Sequence, residues 1–221
     1  MKLFLEQTEI KTVTSRGRYL RIKIDNATAQ VTVYIPKGMS VARAQQFIEE
    51  KRGWIEKNLA IARQNVQSEV DGGGLAVIFG KTYSIIPIES GKPFLGEDAL
   101  YLNIPRDCSL EREKVALQNF YKNFLSEYIS VRLPYFQTLI GLNASGFSIR
   151  NMRSRWGSCN TVTGKLTFSL RLVKKTPDCI DYVSAHELCH IAHANHGSEF
   201  KRLLTRYMPD WKRRKNLLNG V

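Results

Sequence analysis

The sequence predicts an α+β fold, in which a mostly antiparallel sheet packs on a histidine-bearing helix and follows an N-terminal strand hairpin and helix. Short runs alternate apolar with polar residues, as half-buried strands do, and longer runs repeat apolar residues at helical spacing. The chain has 221 residues, of which 43% are hydrophobic and 24% charged. Such a length and composition are typical of a globular protein with a sizeable core.

The first third of the chain predicts a hairpin followed by a helix. Residues 20–24 and 31–35 alternate between apolar and polar side chains, and Asp25 and Asn26 between them favour a turn. Ser40 is a suitable N-cap for the helix that follows. Apolar residues recur through this helix at Ala44, Phe47, Ile48, Trp54, Ile55 and Leu59.

A polar stretch ending in three glycines at 72–74 is the best candidate for a linker. It would separate a hairpin-plus-helix subdomain over residues 1–70 from a catalytic region over 75–221. One continuous domain over residues 1–221 is the alternative.

The middle of the chain predicts short strands around 75–80, 82–88 and 99–104. A helical pattern follows over 111–140, and Pro134 is expected to bend or end its first part.

The last third predicts two more strands and the histidine-bearing helix. One strand starts with Phe147, Ile149 and Met152. Residues 166–172 alternate cleanly and predict another strand. Thr176 as the N-cap, with Pro177 at the first helical position, then begins the helix.

All four histidines of the chain lie within eleven consecutive residues, which read HELCHIAHANH. His186 and His190 are four residues apart and share one face of a helix. Glu187 lies about 100° further round, where its carboxylate reaches a metal-bound water without binding the metal. Two imidazoles that hold zinc and a carboxylate that takes a proton from the acidified water are typical of a zinc hydrolase.

The third metal ligand is a choice between His193 and His196. In a straight helix the Cα atoms of His186 and His193 are about 10 Å apart along the axis, which strains a tetrahedral site. Asn195 can adopt the left-handed conformation that ends helices, and Gly197 follows. If the helix ends there, the chain can turn and bring His196 back towards the helix. We therefore expect zinc to bind His186, His190 and His196, with His193 as a flanking residue.

The net charge of +13 raises the affinity of the chain for polyanions. Part of it is concentrated near the C-terminus, so nonspecific association with nucleic acid is one expectation and a solvated basic face the alternative. The concentrated basic residues are Lys201, Arg202, Arg206, Lys212, Arg213, Arg214 and Lys215.

No apolar run approaches the length of a membrane span, so we expect a cytoplasmic location without membrane partners. The four cysteines lack paired CxxC spacing, which suits reduced thiols.

Several motifs, in their order along the chain, resemble the YgjP-like predicted zinc metallopeptidases. They are VYIPKGMS (33–40), KRGWIEK (51–57), RWGSC (155–159), RLV (171–173), DYVSAHELCH (181–190) and NHGSEF (195–200). The resemblance covers nearly the whole chain and implies a zincin-like catalytic domain, with metal ligands at His186, His190 and His196 and the general base at Glu187. Lys201 departs from the tryptophan that many members carry there. The SprT-like proteases, which act on protein attached to DNA, are a looser match.

A zinc metallopeptidase acting on peptide or protein substrates is the leading functional hypothesis. The strand at 166–172 would offer a sheet edge for the substrate backbone. The main alternative is a metal-dependent nuclease or nucleic-acid-associated protein, since YbeY-like proteins carry three histidines at this spacing. Glu187 discriminates, because that pattern lacks the glutamate and a peptidase needs it as a base. Cys159 as a metal ligand is a further alternative that His196 makes unnecessary.

Overall fold

The computed structural model describes residues 3–5, 8–25, 29–67 and 73–220, and the fold is a mixture of helices and strands, as predicted. The chain divides into two units, residues 1–70 and 71–221. The boundary between the two predicted domains falls in a stretch that lies largely outside the described residues, and their separate folding stays a prediction.

The first unit contains a four-stranded sheet in the order β1-β2-β4-β3. Its strands are β1 (Leu3–Leu5), β2 (Thr8–Ser15), β3 (Arg21–Ile24) and β4 (Val31–Pro36). The predicted hairpin is formed by β3 and β4, which pair antiparallel with Ile24 opposite Val31. Asn26, expected in its turn, lies outside the described residues. The β2–β4 pair is parallel.

Two helices, α1 (Val41–Glu50) and α2 (Arg52–Gln67), replace the single predicted helix. Ser40 caps α1 as expected, its hydroxyl accepting from the amide of Arg43. The interruption is a single residue, Lys51, whose amide still donates to the carbonyls of Phe47 and Ile48. The apolar repeat therefore continues across the interruption into one core. That core includes Val33, Ile35, Ala44, Ile48, Ile55 and Leu59.

The second unit begins with a four-stranded sheet in the order β5-β6-β8-β7. Its strands are β5 (Leu75–Ile78), β6 (Lys81–Ile88), β7 (Phe94–Leu95) and β8 (Ala99–Asn103). Helix α3 (Leu110–Ile140) then runs through Pro134 without ending. Pro134 lies on the exposed side of α3, while Leu133 and Phe136 are buried. Burial of these neighbours stabilises the helix across the missing amide of Pro134. The helix therefore does not end there, and the alternative, a bend at Pro134, stays a prediction.

A three-stranded sheet, in the order β10-β11-β9, precedes the histidine-bearing helix. Its strands are β9 (Gly146–Arg150), β10 (Gly157–Cys159) and β11 (Lys165–Ser169). The β10–β11 pair is antiparallel and the β11–β9 pair is parallel. This sheet is therefore mixed, where the sequence predicted a mostly antiparallel one, because the long connection between β9 and β11 allows them to run in the same direction.

The strand predicted over 166–172 ends at Ser169 and is followed by a 3₁₀ helix, Leu170–Lys174. Ser169, Leu172 and Val173 are all fully buried, so the alternation of buried and exposed residues stops where β11 ends. Met152, expected in the preceding strand, lies beyond the end of β9.

The histidine-bearing helix is α4 (Pro177–Ala192), which begins after Thr176 as predicted. It contacts α3, β10 and the two helices that follow, α5 (Ser198–Tyr207) and α6 (Trp211–Asn219). None of the described helices is long and apolar enough to cross a membrane.

A buried carboxylate attaches α4 to α3. One oxygen of Asp181 accepts from the Tyr128 hydroxyl at 2.9 Å and from Nε of Arg132 at 3.0 Å. Burial and the neighbouring charge of Asp181 raise the pKa of Tyr128, so its hydroxyl stays protonated and continues to donate. Because Asp181 lies little more than one turn before His186, this contact fixes α4 close to the histidines.

Candidate metal centre

Three histidine side chains converge at the end of α4. His186 and His190 lie one turn apart on the helix, with ring centroids 4.9 Å apart. His196 comes from the segment after the helix, and its Nε2 lies 3.0 Å from Nε2 of His186. One nitrogen of each of the three lies within 4.8 Å of the others. The structure thus brings together the three residues that the sequence predicted as ligands.

The chain turns back because α4 stops earlier than predicted. The helix ends at Ala192, and His193 already has the extended conformation, with φ −135° and ψ 102°. Asn195 is not left-handed; among the described non-glycine residues only Ala29 and Phe79 have positive φ. Instead, its side-chain oxygen accepts from the amide of Gly197 at 3.1 Å. This local turn directs His196 towards α4.

His193 takes part through its backbone and lies outside the three-histidine group. Its carbonyl oxygen lies 3.0 Å from Nδ1 of His190. A carbonyl can only accept, so Nδ1 of His190 carries the proton and Nε2 keeps its lone pair. The hydrogen bond thereby orients the His190 ring and selects the tautomer that can bind a metal through Nε2.

The environment of His186 keeps its imidazole neutral. Burial, reinforced by the neighbouring His190 and His196, lowers the pKa of His186 to about 3. The hydroxyl of Tyr182, one turn earlier, lies 3.4 Å from Nδ1 of His186. Burial and the charge of Glu187 raise the pKa of Tyr182 to about 12, so this hydroxyl is also neutral near pH 7. Neutral imidazoles are the form that metals bind, so the donor set fits zinc.

Glu187 lies buried beside the histidines, with 6% of its surface exposed. Burial raises the pKa of its carboxyl group to about 7, against the opposing effect of the Arg155 charge. A carboxyl group with such a pKa can accept and return a proton near neutral pH. Its side chain packs directly on Gly157 of β10, where a Cβ atom would lie 2.6 Å from Oε1 of Glu187.

The sequence predicts Glu187 as the general base of a hydrolase, so we expect Gly157→Ala to reduce hydrolytic activity by about 100-fold, since a shift of about 1 Å in such a group can cost this much. The added methyl group must displace either the Glu187 carboxylate or β10. Gly53→Ala is the matched control, because a Cβ atom there meets nothing within 4 Å. The values of kcat/KM and bound metal should be measured for both variants; equal activity of Gly157→Ala and wild type would contradict the expectation.

The centre opens into a cavity of about 710 Å³. Its walls come from the segment 155–159, from α4 and from helices α5 and α6. Helix α6 was not predicted as a wall, although Trp211, Lys215 and Leu218 have the spacing of one helix face. In the sequence, Lys215 is one of several cations in a basic C-terminal segment.

In the structure, the cations of this basic segment differ in their contacts. Arg213 lies 2.9 Å from Asp210, and Arg214 lies 2.9 Å from both Asp178 and Asp210. These two arginines therefore attach α6 to the start of α4. Lys215 instead lines the cavity.

The free edge of the sheet beside the centre is β10, and the predicted edge at 166–172 was wrong. Strand β11 is central and pairs with both neighbours. Trp156 and Asn160, on either side of β10, hydrogen-bond through their backbones to Ser169 and Lys165 of β11. Bonded positions alternate along an antiparallel strand, so the amides and carbonyls of Gly157 and Cys159 point outward.

Cys159 lines the cavity but is not part of the three-histidine group. Burial and the nearby Glu187 raise the pKa of its thiol, which disfavours the thiolate that metals bind. All four cysteines of the chain are free, as the sequence predicted.

Comparisons with known proteins found a family match and distantly related solved structures. Residues 18–220 match the YgjP-like family, described as "YgjP-like, metallopeptidase domain". No curated protein matches the chain significantly. Among solved structures, the metallopeptidase zymogen of Pyrococcus abyssi abylysin is 20% identical, with a TM-score of 0.37 over 40% of this chain and 87% of that one. The zymogen of Methanocaldococcus jannaschii jannalysin is 22% identical, with a TM-score of 0.36 over 39% and 89%.

The family match spans nearly the whole chain and therefore defines the class of protein. It is a metallopeptidase, as the sequence predicted. The chain belongs to the YgjP-like family.

Proposed function

We propose that this protein hydrolyses peptide bonds with a zinc ion held by His186, His190 and His196 and with Glu187 as the general base. The observation that carries the proposal is the position of a buried carboxylate beside three converging imidazoles in one open cavity. Zinc supplies a Lewis acid that polarises the scissile carbonyl and acidifies water.

Each protein side chain has a distinct part in this proposal. His190 donates to the carbonyl of His193 and so presents Nε2 to the ion. Nδ1 of His186 lies 3.4 Å from the Tyr182 hydroxyl, which would accept its proton when Nε2 of His186 binds the ion. Glu187 removes a proton from the attacking water and returns it to the leaving amine. A carboxyl pKa of about 7 suits both halves of this transfer.

The outward backbone groups of Gly157 and Cys159 hold the substrate as an added strand. They lie in the cavity wall, next to the carboxylate that packs on Gly157. Backbone pairing requires an extended peptide and places few demands on its side chains. This arrangement favours a peptide over a nucleic acid, which has no backbone amides to pair with β10.

The nuclease alternative rests on the net charge of +13 and on the spacing of the histidines. The presence of Glu187, buried beside the histidines, favours the peptidase, since the related nuclease pattern lacks this residue. Nonspecific association with nucleic acid and the cytoplasmic location both stay predictions.

The proposal is tested by metal removal and reconstitution. We expect the purified protein to contain one zinc per chain, to cleave members of a broad peptide library, and to lose cleavage on chelation. Stoichiometric zinc should restore it. Mass spectrometry of the cleaved library and elemental analysis provide the measurements. A zinc-loaded protein that cleaves RNA but no peptide or protein would overturn the proposal.

A further inference from the structure

The cavity around the metal centre has an unbalanced charge. Its charged lining residues, apart from the histidines, are Arg155, Glu187, Lys201 and Lys215. Glu187 is buried and packed on β10, while Arg155, Lys201 and Lys215 are exposed. A substrate entering from solvent therefore meets three cations, two of them ammonium groups, before it meets the carboxylate.

Lys201 is held close to the histidines by the residue before it. The ring of Phe200 packs against all three, with centroids 4.9 Å from His186, 4.7 Å from His190 and 4.8 Å from His196. Phe200 is 2% exposed, so this contact is part of the core. The backbone of Lys201 is thus fixed beside the centre, and its side chain lines the cavity.

Lys215 is positioned by α6. Its ammonium nitrogen lies 6.0 Å from the centre of the Trp211 ring, one turn earlier on the helix. Trp211 is itself anchored, since its indole N–H donates to the Thr205 hydroxyl at 2.9 Å.

Some neighbouring cations pair with carboxylates, whereas, among the residues that the structure describes, Lys201 and Lys215 do not. Arg202 lies 2.9 Å from Glu199, and Arg213 and Arg214 pair with Asp178 and Asp210. Lys201 and Lys215 contribute to none of the ion pairs among the described residues. A concave site with two unmatched cations concentrates anionic ligands.

We infer that this peptidase selects substrates that carry a carboxylate beside the cleaved bond, bound between Lys201 and Lys215. The inference rests on the proposed function and adds a substrate class to it. The carboxylate can come from an aspartate or glutamate side chain or from the C-terminus of the peptide. Each exposed ion pair contributes modestly, so the two lysines together should give about tenfold selectivity at low salt.

The test uses matched peptides built on one sequence that the wild-type protein cleaves. Three versions carry Glu, Gln or Lys next to the cleaved bond, and two more place the bond near a free or an amidated C-terminus. We expect kcat/KM to fall about tenfold from Glu to Gln and further to Lys. Two ratios of kcat/KM are compared, Glu to Gln peptide and free to amidated C-terminus. The larger ratio identifies the source of the carboxylate. Added salt should reduce the preference, because exposed charges are screened.

Variants assign the preference to the two lysines. Lys201→Gln combined with Lys215→Gln should bring the Glu-to-Gln ratio close to one, with unchanged zinc content. Lys212→Gln is the matched control, because Lys212 also lies near the Trp211 ring but does not line the cavity. Its ratio should equal that of the wild type. The same preference should appear in the affinity of zinc-loaded Glu187→Gln protein for the intact peptides.

Two outcomes overturn the inference alone. One is efficient, Glu187-dependent cleavage with the same kcat/KM for acid and amide peptides. The other is an equal loss of activity on all peptides in the double lysine variant, which would place the lysines at the reacting carbonyl. Failure of the wild type to cleave any peptide would overturn the proposed function, and the inference with it.

Discussion

Glu187→Gln should bind zinc like the wild type and lose about 10² to 10⁴ in the rate of peptide hydrolysis, the usual cost of removing a positioned general base. Glutamine keeps the size of the side chain and its contact with Gly157 but cannot accept the proton. The measurements are kcat on a cleaved library peptide and zinc content by elemental analysis.

The stability of this variant separates a catalytic role from a structural one. Burial raises the pKa of Glu187 to about 7, so its charged form is disfavoured in the folded state. A group with a raised pKa is less stabilising once the pH exceeds its unfolded value, and a neutral amide avoids this penalty. We therefore expect the metal-free variant to have a melting temperature equal to or above that of the wild type at pH 7. A lower melting temperature with proportionate loss of zinc would contradict a purely catalytic role.

The same variant distinguishes peptidase from nuclease. If the wild type cleaves RNA and Glu187→Gln cleaves it equally well, while neither cleaves peptides, the carboxylate is not the base of a peptidase. The nuclease hypothesis would then replace the proposed function.

His196→Ala should lower zinc affinity by more than about 100-fold, because even the loss of a partner outside the coordination sphere typically costs 10- to 100-fold. Its Nε2 is one of the three nitrogens that converge, and it lies 3.0 Å from that of His186. Competition with a chelator of known affinity provides the measurement. Activity at limiting zinc should fall in parallel.

His193→Ala is the matched control for this experiment. The substitution removes the imidazole but keeps the backbone carbonyl that accepts from His190. We expect zinc content and affinity close to those of the wild type. Retention of zinc by His196→Ala together with its loss from His193→Ala would reverse the ligand assignment.

The sequence alone predicted the metal centre because its main determinants are local. Spacing on a helix places His186 and His190 on one face, and a short segment limits where His196 can reach. Glu187 follows from its position next to His186. The way in which the chain leaves the helix was less predictable, since the turn is made by the Asn195 side chain and Gly197 amide where a left-handed residue was expected.

The sequence also predicted the N-terminal hairpin, the long helix over 111–140 and the start of α4 from alternation, periodicity and capping residues. It did not predict how Pro134 is accommodated or where β11 ends. Both depend on the burial of neighbours such as Leu133 and Val173, which is a property of the packed core.

Only the tertiary structure decided what surrounds the centre. An alternating pattern identifies a strand but does not rank it within a sheet, so the exposed edge could not be assigned to β10 rather than β11. A run of cations shows net charge but not partners, and the arginines of α6 pair with Asp178 and Asp210 while Lys215 lines the cavity. The sequence identified the three histidines that the structure brings together, since spacing within one helix and its exit limits where they can lie. Contacts between residues far apart in the chain decided the shape and charge of the site.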